Sequence, residues 1–220
     1  MTTRLAIVRH GNTFKPGQIS TRVGAQTDLD LVESHRGSSV GRYLKDNNLV
    51  PDIVFSSPLK RCMQTAQQAL SALEIERELL LDDTFIEINY GPDENKTEEE
   101  VMLRLGKGDV KVGKKIIDRW NEEAILPDGW EVDVEQIVEN WKNFTLNIAS
   151  KYKGQTVMLV SSNGVIRLAP HITGDFKEFA NNNEIKVSPG SVSLFELKED
   201  AEHWKCTEWN SKPYKLYPKD

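Results

Sequence analysis

Three short apolar runs constrain how this chain can fold. Leu5-Ala6-Ile7-Val8, Ile53-Val54-Phe55 and Thr156-Val157-Met158-Leu159-Val160 each have the length of one buried strand and carry β-branched residues. Each stops abruptly at polar residues, glycine or proline: Arg9-His10-Gly11, Ser56-Ser57-Pro58 and Ser161-Ser162-Asn163-Gly164. A strand feeding a polar turn is the layout of open α/β sheets, in which ligands sit beyond the carboxyl ends of the strands. The residues just past each run are therefore the first candidates for chemistry.

Size and charge narrow the function. A chain of 220 residues, 38% of them hydrophobic, can bury one sizeable core, and residues 1–220 read as a single domain. A net charge of −6 excludes a general nucleic-acid binder, which needs a basic footprint. A local arginine cluster can still hold an anion in an acidic protein. Cys62 and Cys206 lie far apart without CxxC spacing, so neither a disulfide framework nor a zinc site is indicated. No apolar run approaches about 18 residues, and the first strand begins too close to Met1 to leave room for a leader. The expectation is a cytoplasmic protein with no membrane or nucleic-acid partner; oligomeric state is not legible.

Phe14-Lys15-Pro16-Gly17-Gln18 and the stretch Arg22 to Asp28 read as a loop over the strand ends. Ser34 is placed as the N-cap of an amphipathic helix that turns Val40, Tyr43 and Leu44 inward. Ser57-Pro58 marks the next helix start, with Ser57 as a cap and Thr65 as a packing residue. Arg61 sits in its first turn, where a cation opposes the helix dipole by about 0.3–1 kcal/mol and a bound anion would supply the reason. Leu79-Leu80-Leu81 and the stretch around Glu87 read as extended. From Asp93 to Thr145 the spacing of Val101 and Leu105, and of Ile137, Trp141, Phe144 and Ile148, is helical. Trp120, Trp130 and Trp141 default to the core. Glu98-Glu99-Glu100 reads as a solvated helix start, and Asn95 and Lys96 as surface residues or a border to the substrate. Glu184–Val187, Ser191–Leu197 and Trp204–Trp209 alternate as strands do, Pro213–Asp220 reads as a loosely held tail, and His171 and His203 read as helix-face residues.

Taken together, Arg9-His10-Gly11, the segment Ser56-Ser57-Pro58-Leu59-Lys60-Arg61-Cys62-Met63-Gln64-Thr65-Ala66 and Glu87-Ile88-Asn89-Tyr90-Gly91 resemble, in order, three motifs of the histidine phosphatase superfamily, which includes the phosphoglycerate mutases. The resemblance runs from Leu5 to Leu168. It implies a three-layer α/β/α sandwich with a mostly parallel central sheet and a helical lid insertion at about residues 92–133. It also implies His10 as nucleophile, Glu87 as general acid, Arg9, Arg61, Asn12 and Thr13 around the phosphate, and Arg22 as a substrate contact. No cofactor or metal is implied, since arginines do the electrostatic task. One motif departs from the pattern: where the family reads Val-Ser-His-Gly-Gly-Val-Ile-Arg, this chain has Val160-Ser161-Ser162-Asn163-Gly164-Val165-Ile166-Arg167. Ser162 thus replaces a second active-site histidine, and it and Asn163 are left as neutral donors to the phosphate. Exchanging a charged donor for a neutral one forfeits about 1–2 kcal/mol, which predicts a slower enzyme.

The implied activity is hydrolysis of a small phosphomonoester through a phosphohistidine. The alternative is a catalytically silent member that binds a phosphorylated ligand or protein. A phosphoglycerate mutase is the weaker reading, because the tryptophan-bearing motif expected soon after Arg9-His10-Gly11 in those mutases is missing.

Overall fold

The computed structural model describes residues 1–219, and in it the three apolar runs become neighbouring strands of one sheet. The strands are β1 (Thr2–Arg9), β2 (Ile53–Ser56), β3 (Leu79–Leu81), β4 (Thr156–Ser161), β5 (Val192–Lys198) and β6 (Lys205–Ser211), in the spatial order β3-β2-β4-β1-β5-β6. The first four positions of that order pair in parallel, while β5 and β6 join antiparallel at one edge. The helices are α1 (His35–Asp46), α2 (Lys60–Leu73), α3 (Glu98–Leu105), α4 (Val110–Glu123), α5 (Val134–Lys151), α6 (Asn163–Ile166), α7 (Phe176–Asn182) and α8 (Pro213–Leu216).

The period-two geometry of a strand explains why the runs had to be apolar throughout. In β1, Leu5 and Ile7 enter one core with Trp120, Trp141, Phe144 and Ile148, whereas Ala6 and Val8 enter a second with Val40, Leu44, Cys62 and Ala66. β4 divides the same way, Val157 and Leu159 against Met158 and Val160. Helices α1 and α2 therefore cover one face and α3 to α5 the other, giving the expected three layers.

Several local expectations need correction. Ser34 is the N-cap of α1 as expected, but its side chain makes no capping bond; Glu33 Oε2 accepts from the Arg36 amide instead, at 3.2 Å. Helix α2 starts at Lys60 with Leu59 as N-cap, and Ser57 Oγ only reaches the Leu59 amide at 3.5 Å. Glu184–Val187 is irregular, because these backbone groups bond to side chains: the Val187 amide donates to Asn163 Oδ1 at 2.9 Å. His171 lies in a short 3-10 turn, its ring stacked on Phe176 at 4.0 Å. His203 is an exposed residue of the turn between β5 and β6. The described part of the C-terminal stretch is held down: α8 packs on α1, Tyr217 donates to Asp46 at 2.6 Å, and Arg36 lies 3.7 Å over the Tyr214 ring. Asp220 lies outside the described residues. No helix among those described is long and apolar enough to cross a membrane.

Candidate active site

Adjacent parallel strands bring two of the polar turns together. Arg9 at the end of β1 is in register with Ser161 at the end of β4, and the His10 amide donates to the Ser161 carbonyl at 3.1 Å. Two further clamps hold the turn. The Gly11 amide donates to Thr65 Oγ1 at 3.0 Å, and the Gly190 amide donates to the carbonyls of Arg9 and His10 at 3.0 Å each. Thr65 is thus more than a packing residue: its hydroxyl also donates to the Arg61 carbonyl at 2.7 Å. We expect Thr65→Val, which keeps the shape and removes the acceptor, to cost about 1–3 kcal/mol by stranding the buried Gly11 amide. Urea denaturation checks this, and an unchanged midpoint would show that the turn does not depend on that bond.

His10 is buried, and its Nδ1 lies 2.7 Å from the Gly11 carbonyl oxygen. A carbonyl can only accept, so Nδ1 carries the proton and the lone pair of the neutral ring is on Nε2. Burial lowers the His10 pKa well below the ordinary histidine range, and the Arg61 and Arg9 charges lower it further; the Gly11 carbonyl opposes them. The imidazole is therefore neutral at neutral pH.

Glu87 lies between a 3-10 turn at Asp83–Phe85 and the isolated bridge of Asn89 with Glu131. Its carboxylate is buried and accepts from the Ile88 amide at 2.9 Å and the Gly164 amide at 3.3 Å. Burial raises its pKa, and this outweighs the lowering by Arg61, the two amides and Arg9. Glycine is required at 164, since a Cβ there would stand 2.3 Å from Glu87 Oε1.

His10 and Glu87 line one cleft of about 370 Å³, together with Arg9, Asn12, Thr13, Arg22 and Asn163 from the residues expected there. Arg61 and Ser162 are fully buried and do not line it. Arg61 donates from Nη1 to the Thr27 carbonyl at 2.7 Å and from Nη2 to the Gly24 carbonyl at 3.3 Å. Its charge still bears on both His10 and Glu87. Ser162 Oγ faces Cys62 Sγ at 3.8 Å. Asn95 and Lys96 do not reach the cleft; their backbones pair with Arg22.

Cations that the motifs left unassigned add to the site. Arg167 is buried in the cleft wall, donates to the Trp120 carbonyl at 2.7 Å and lies 4.3 Å over the Trp120 ring. Burial pushes its pKa down to about 10, so it remains charged at neutral pH. Arg22 lies 4.9 Å over Trp130 and 5.2 Å over Tyr90, and pairs with Glu98. Glu98 is therefore a cleft residue and not merely a solvated helix start. Trp120 and Trp130 belong to the core as expected, and they also form the platform under two cleft arginines. The sequence signal for Arg167 was its place at the end of the motif Val160 to Arg167, a cation inside an otherwise apolar run; Lys186, also in the wall, gave none.

Arg9, Arg22 and Arg61 share one further property. The Nε of each is buried without a hydrogen-bond partner among the described residues. An unpaired buried donor costs about 1–3 kcal/mol; Arg9 and Arg22 carry theirs on cations that line the cleft, which suits an anion, while Arg61 lies behind the wall.

Comparison with known proteins agrees with this geometry. Residues 5–212 match the model of the histidine phosphatase superfamily, branch 1. The chain belongs to that superfamily. Among curated histidine phosphatase relatives, the 2,3-bisphosphoglycerate-dependent phosphoglycerate mutase of Bifidobacterium longum is 33% identical over 114 residues, which cover 48% of this chain and 44% of the mutase. The chain thus matches less than half the length of that relative. The corresponding mutase of Mesorhizobium japonicum is 22% identical across 91% of this chain and 95% of its own length. Of solved structures, phosphoserine phosphatase from Entamoeba histolytica, in complex with 3-phosphoglyceric acid, superposes with a TM-score of 0.71 at 23% identity, covering 95% of this chain and 97% of that one. Phosphoglycerate mutase from Bacillus anthracis gives 0.76 at 18% identity, covering 97% and 95%. At these identities the structural likeness establishes the shared fold.

Proposed function

We propose that this histidine phosphatase superfamily member hydrolyses a small phosphomonoester through a phosphohistidine on His10, without a metal. The observation that carries the proposal is a neutral imidazole, its Nε2 lone pair uncommitted, sharing one cleft with a buried carboxyl group of raised pKa. The dianionic phosphoryl group would be neutralised by Arg9 and Arg22, with Arg61 and Arg167 contributing charge from the surrounding wall. Nε2 attacks phosphorus, the P–O bond to the alcohol breaks, and protonated Glu87 gives its proton to the departing oxygen. Water then attacks the phosphohistidine, Glu87 takes its proton, and phosphate and free His10 result. Asn12, Thr13 and Asn163 line the space in which the phosphoryl oxygens would lie.

Ser162 supports a second reading. Its hydroxyl is buried against Cys62 instead of lining the cleft, so it offers no charge to the phosphate, as befits a silent member that binds a phosphorylated ligand. A phosphate-release assay across aryl, alkyl and acyl-bearing phosphomonoesters, run with and without EDTA, separates the two. Turnover insensitive to EDTA, with an acid-labile, base-stable phosphoenzyme after quenching, is the expected result. Calorimetric binding of inorganic phosphate without turnover of any ester would establish the silent reading.

A further inference from the structure

The catalytic cleft adjoins a second cavity. Asn121, near the end of α4, and Lys186, on the segment between α7 and β5, line both the cleft and a neighbouring space of about 490 Å³. The rest of that space is walled by Glu122, Ala180, three consecutive asparagines at 181 to 183, and Glu184. This second space is an open surface chamber, with Glu122, Asn181, Asn182, Glu184 and Lys186 exposed, and a substrate seated against His10 would reach it by passing Lys186.

The chemistry of that chamber is unusual for a binding wall. It holds no aromatic side chain and almost no apolar one, but four primary amides and two carboxylates. An amide both donates and accepts, as an alcohol does, and a carboxylate accepts from a hydroxyl. Asn182 Nδ2 donates to the Glu178 carbonyl at 2.9 Å and Asn183 Nδ2 to the Phe179 carbonyl at 3.0 Å. Each Oδ1 is left without a partner among the described residues. The side chains of Asn121 and Lys186 make no hydrogen bond there either. The two glutamates disfavour a second anionic group in the chamber, and the lack of aromatic or apolar walls gives an aryl or alkyl group little to bind.

We infer that this chamber is the leaving-group subsite and that the substrate is the phosphate ester of a hydroxyl-rich alcohol, a polyol or a sugar, reaching from His10 past Lys186 to the asparagines. The inference rests on the phosphatase reading for its chemistry but not for its recognition.

Two measurements on the whole chain test it: calorimetric affinity and kcat/KM for sorbitol 6-phosphate, glucose 6-phosphate, phosphoserine and methyl phosphate. The polyol and sugar phosphates are expected to exceed methyl phosphate and phosphoserine by about tenfold or more in both, as one or two well-placed hydrogen bonds would give. The double variant Asn181→Leu, Asn183→Leu is expected to bring that ratio close to one. Asn121→Leu, on a different helix, should lower the ratio as well, so a local disturbance of α7 cannot by itself produce the result. Equal affinity and equal kcat/KM across the four esters would overturn the subsite and leave the phosphatase reading standing. Preferred binding of the polyol and sugar phosphates with no hydrolysis of any ester would sink the phosphatase reading and uphold the subsite as a recognition site.

Discussion

His10→Ala is expected to abolish phosphate release, lowering kcat by at least about 10³-fold, because no other side chain can take over an in-line covalent attack. That factor corresponds to about 4 kcal/mol of lost transition-state stabilisation. His10 is the histidine that lines the cleft, and the amides of Gly11, Gly190 and His10 itself fix where its ring stands. The substitution should also remove the phosphoenzyme seen after acid-free quenching. Fold loss is not the expected cause. The native ring is buried neutral, its turn is held by backbone bonds, and circular dichroism of the variant should match the wild type. His10→Asn, which can still donate to the Gly11 carbonyl, should be as inactive. Turnover within tenfold of wild type in either variant would remove His10 from the nucleophile's role.

Glu87→Gln should cost about 10²- to 10⁴-fold with alkyl phosphates, the usual contribution of a positioned general acid. The loss should be far smaller with p-nitrophenyl phosphate, whose phenolate departs without a proton. The pH dependence has a definite sign. A general acid works when protonated, so kcat/KM should fall as pH rises through the elevated Glu87 pKa, and Glu87→Gln should remove that descending limb. The ascending limb belongs to deprotonation of His10, whose lowered pKa places it on the acid side of an ordinary histidine. The two shifts thus move the limbs apart, the ascending one toward acid and the descending one toward base. Because the carboxylate accepts from two backbone amides, glutamine satisfies only one of them, and about 1 kcal/mol of stability should be lost as well. An equal rate loss with alkyl and aryl esters, or an unaltered basic limb, would show that Glu87 holds the backbone and does not move a proton.

The elements that follow from local pattern were legible in advance. Strands β1, β2 and β4 could be read because residues two apart share a face, and α1, α3 and α5 because residues three and four apart do. The mistakes at Glu184–Val187 and the C-terminal stretch have one origin: the preference of a short segment was overridden by a partner distant in sequence, Asn163 for Val187 and Asp46 for Tyr217.

The site divides along the same line. Residue identity and motif order, read from the sequence by itself, determined the family, the alternation of strands and helices, and a short set of chemically capable groups headed by His10 and Glu87. Only the tertiary structure decided which nitrogen of His10 is free, that Arg61 spends two donors on the Gly24 and Thr27 carbonyls, that Ser162 turns to Cys62, and that Arg167, Lys186 and Glu98 join the cleft. The physical reason is that a strand or helix is written in neighbours a few positions apart. A buried charge, a shared wall or a partner such as Thr27 for Arg61 instead depends on groups tens to more than a hundred residues away, and even the neighbouring Gly11 carbonyl meets His10 only through the turn that the fold imposes; none of these leaves a periodic trace in the chain.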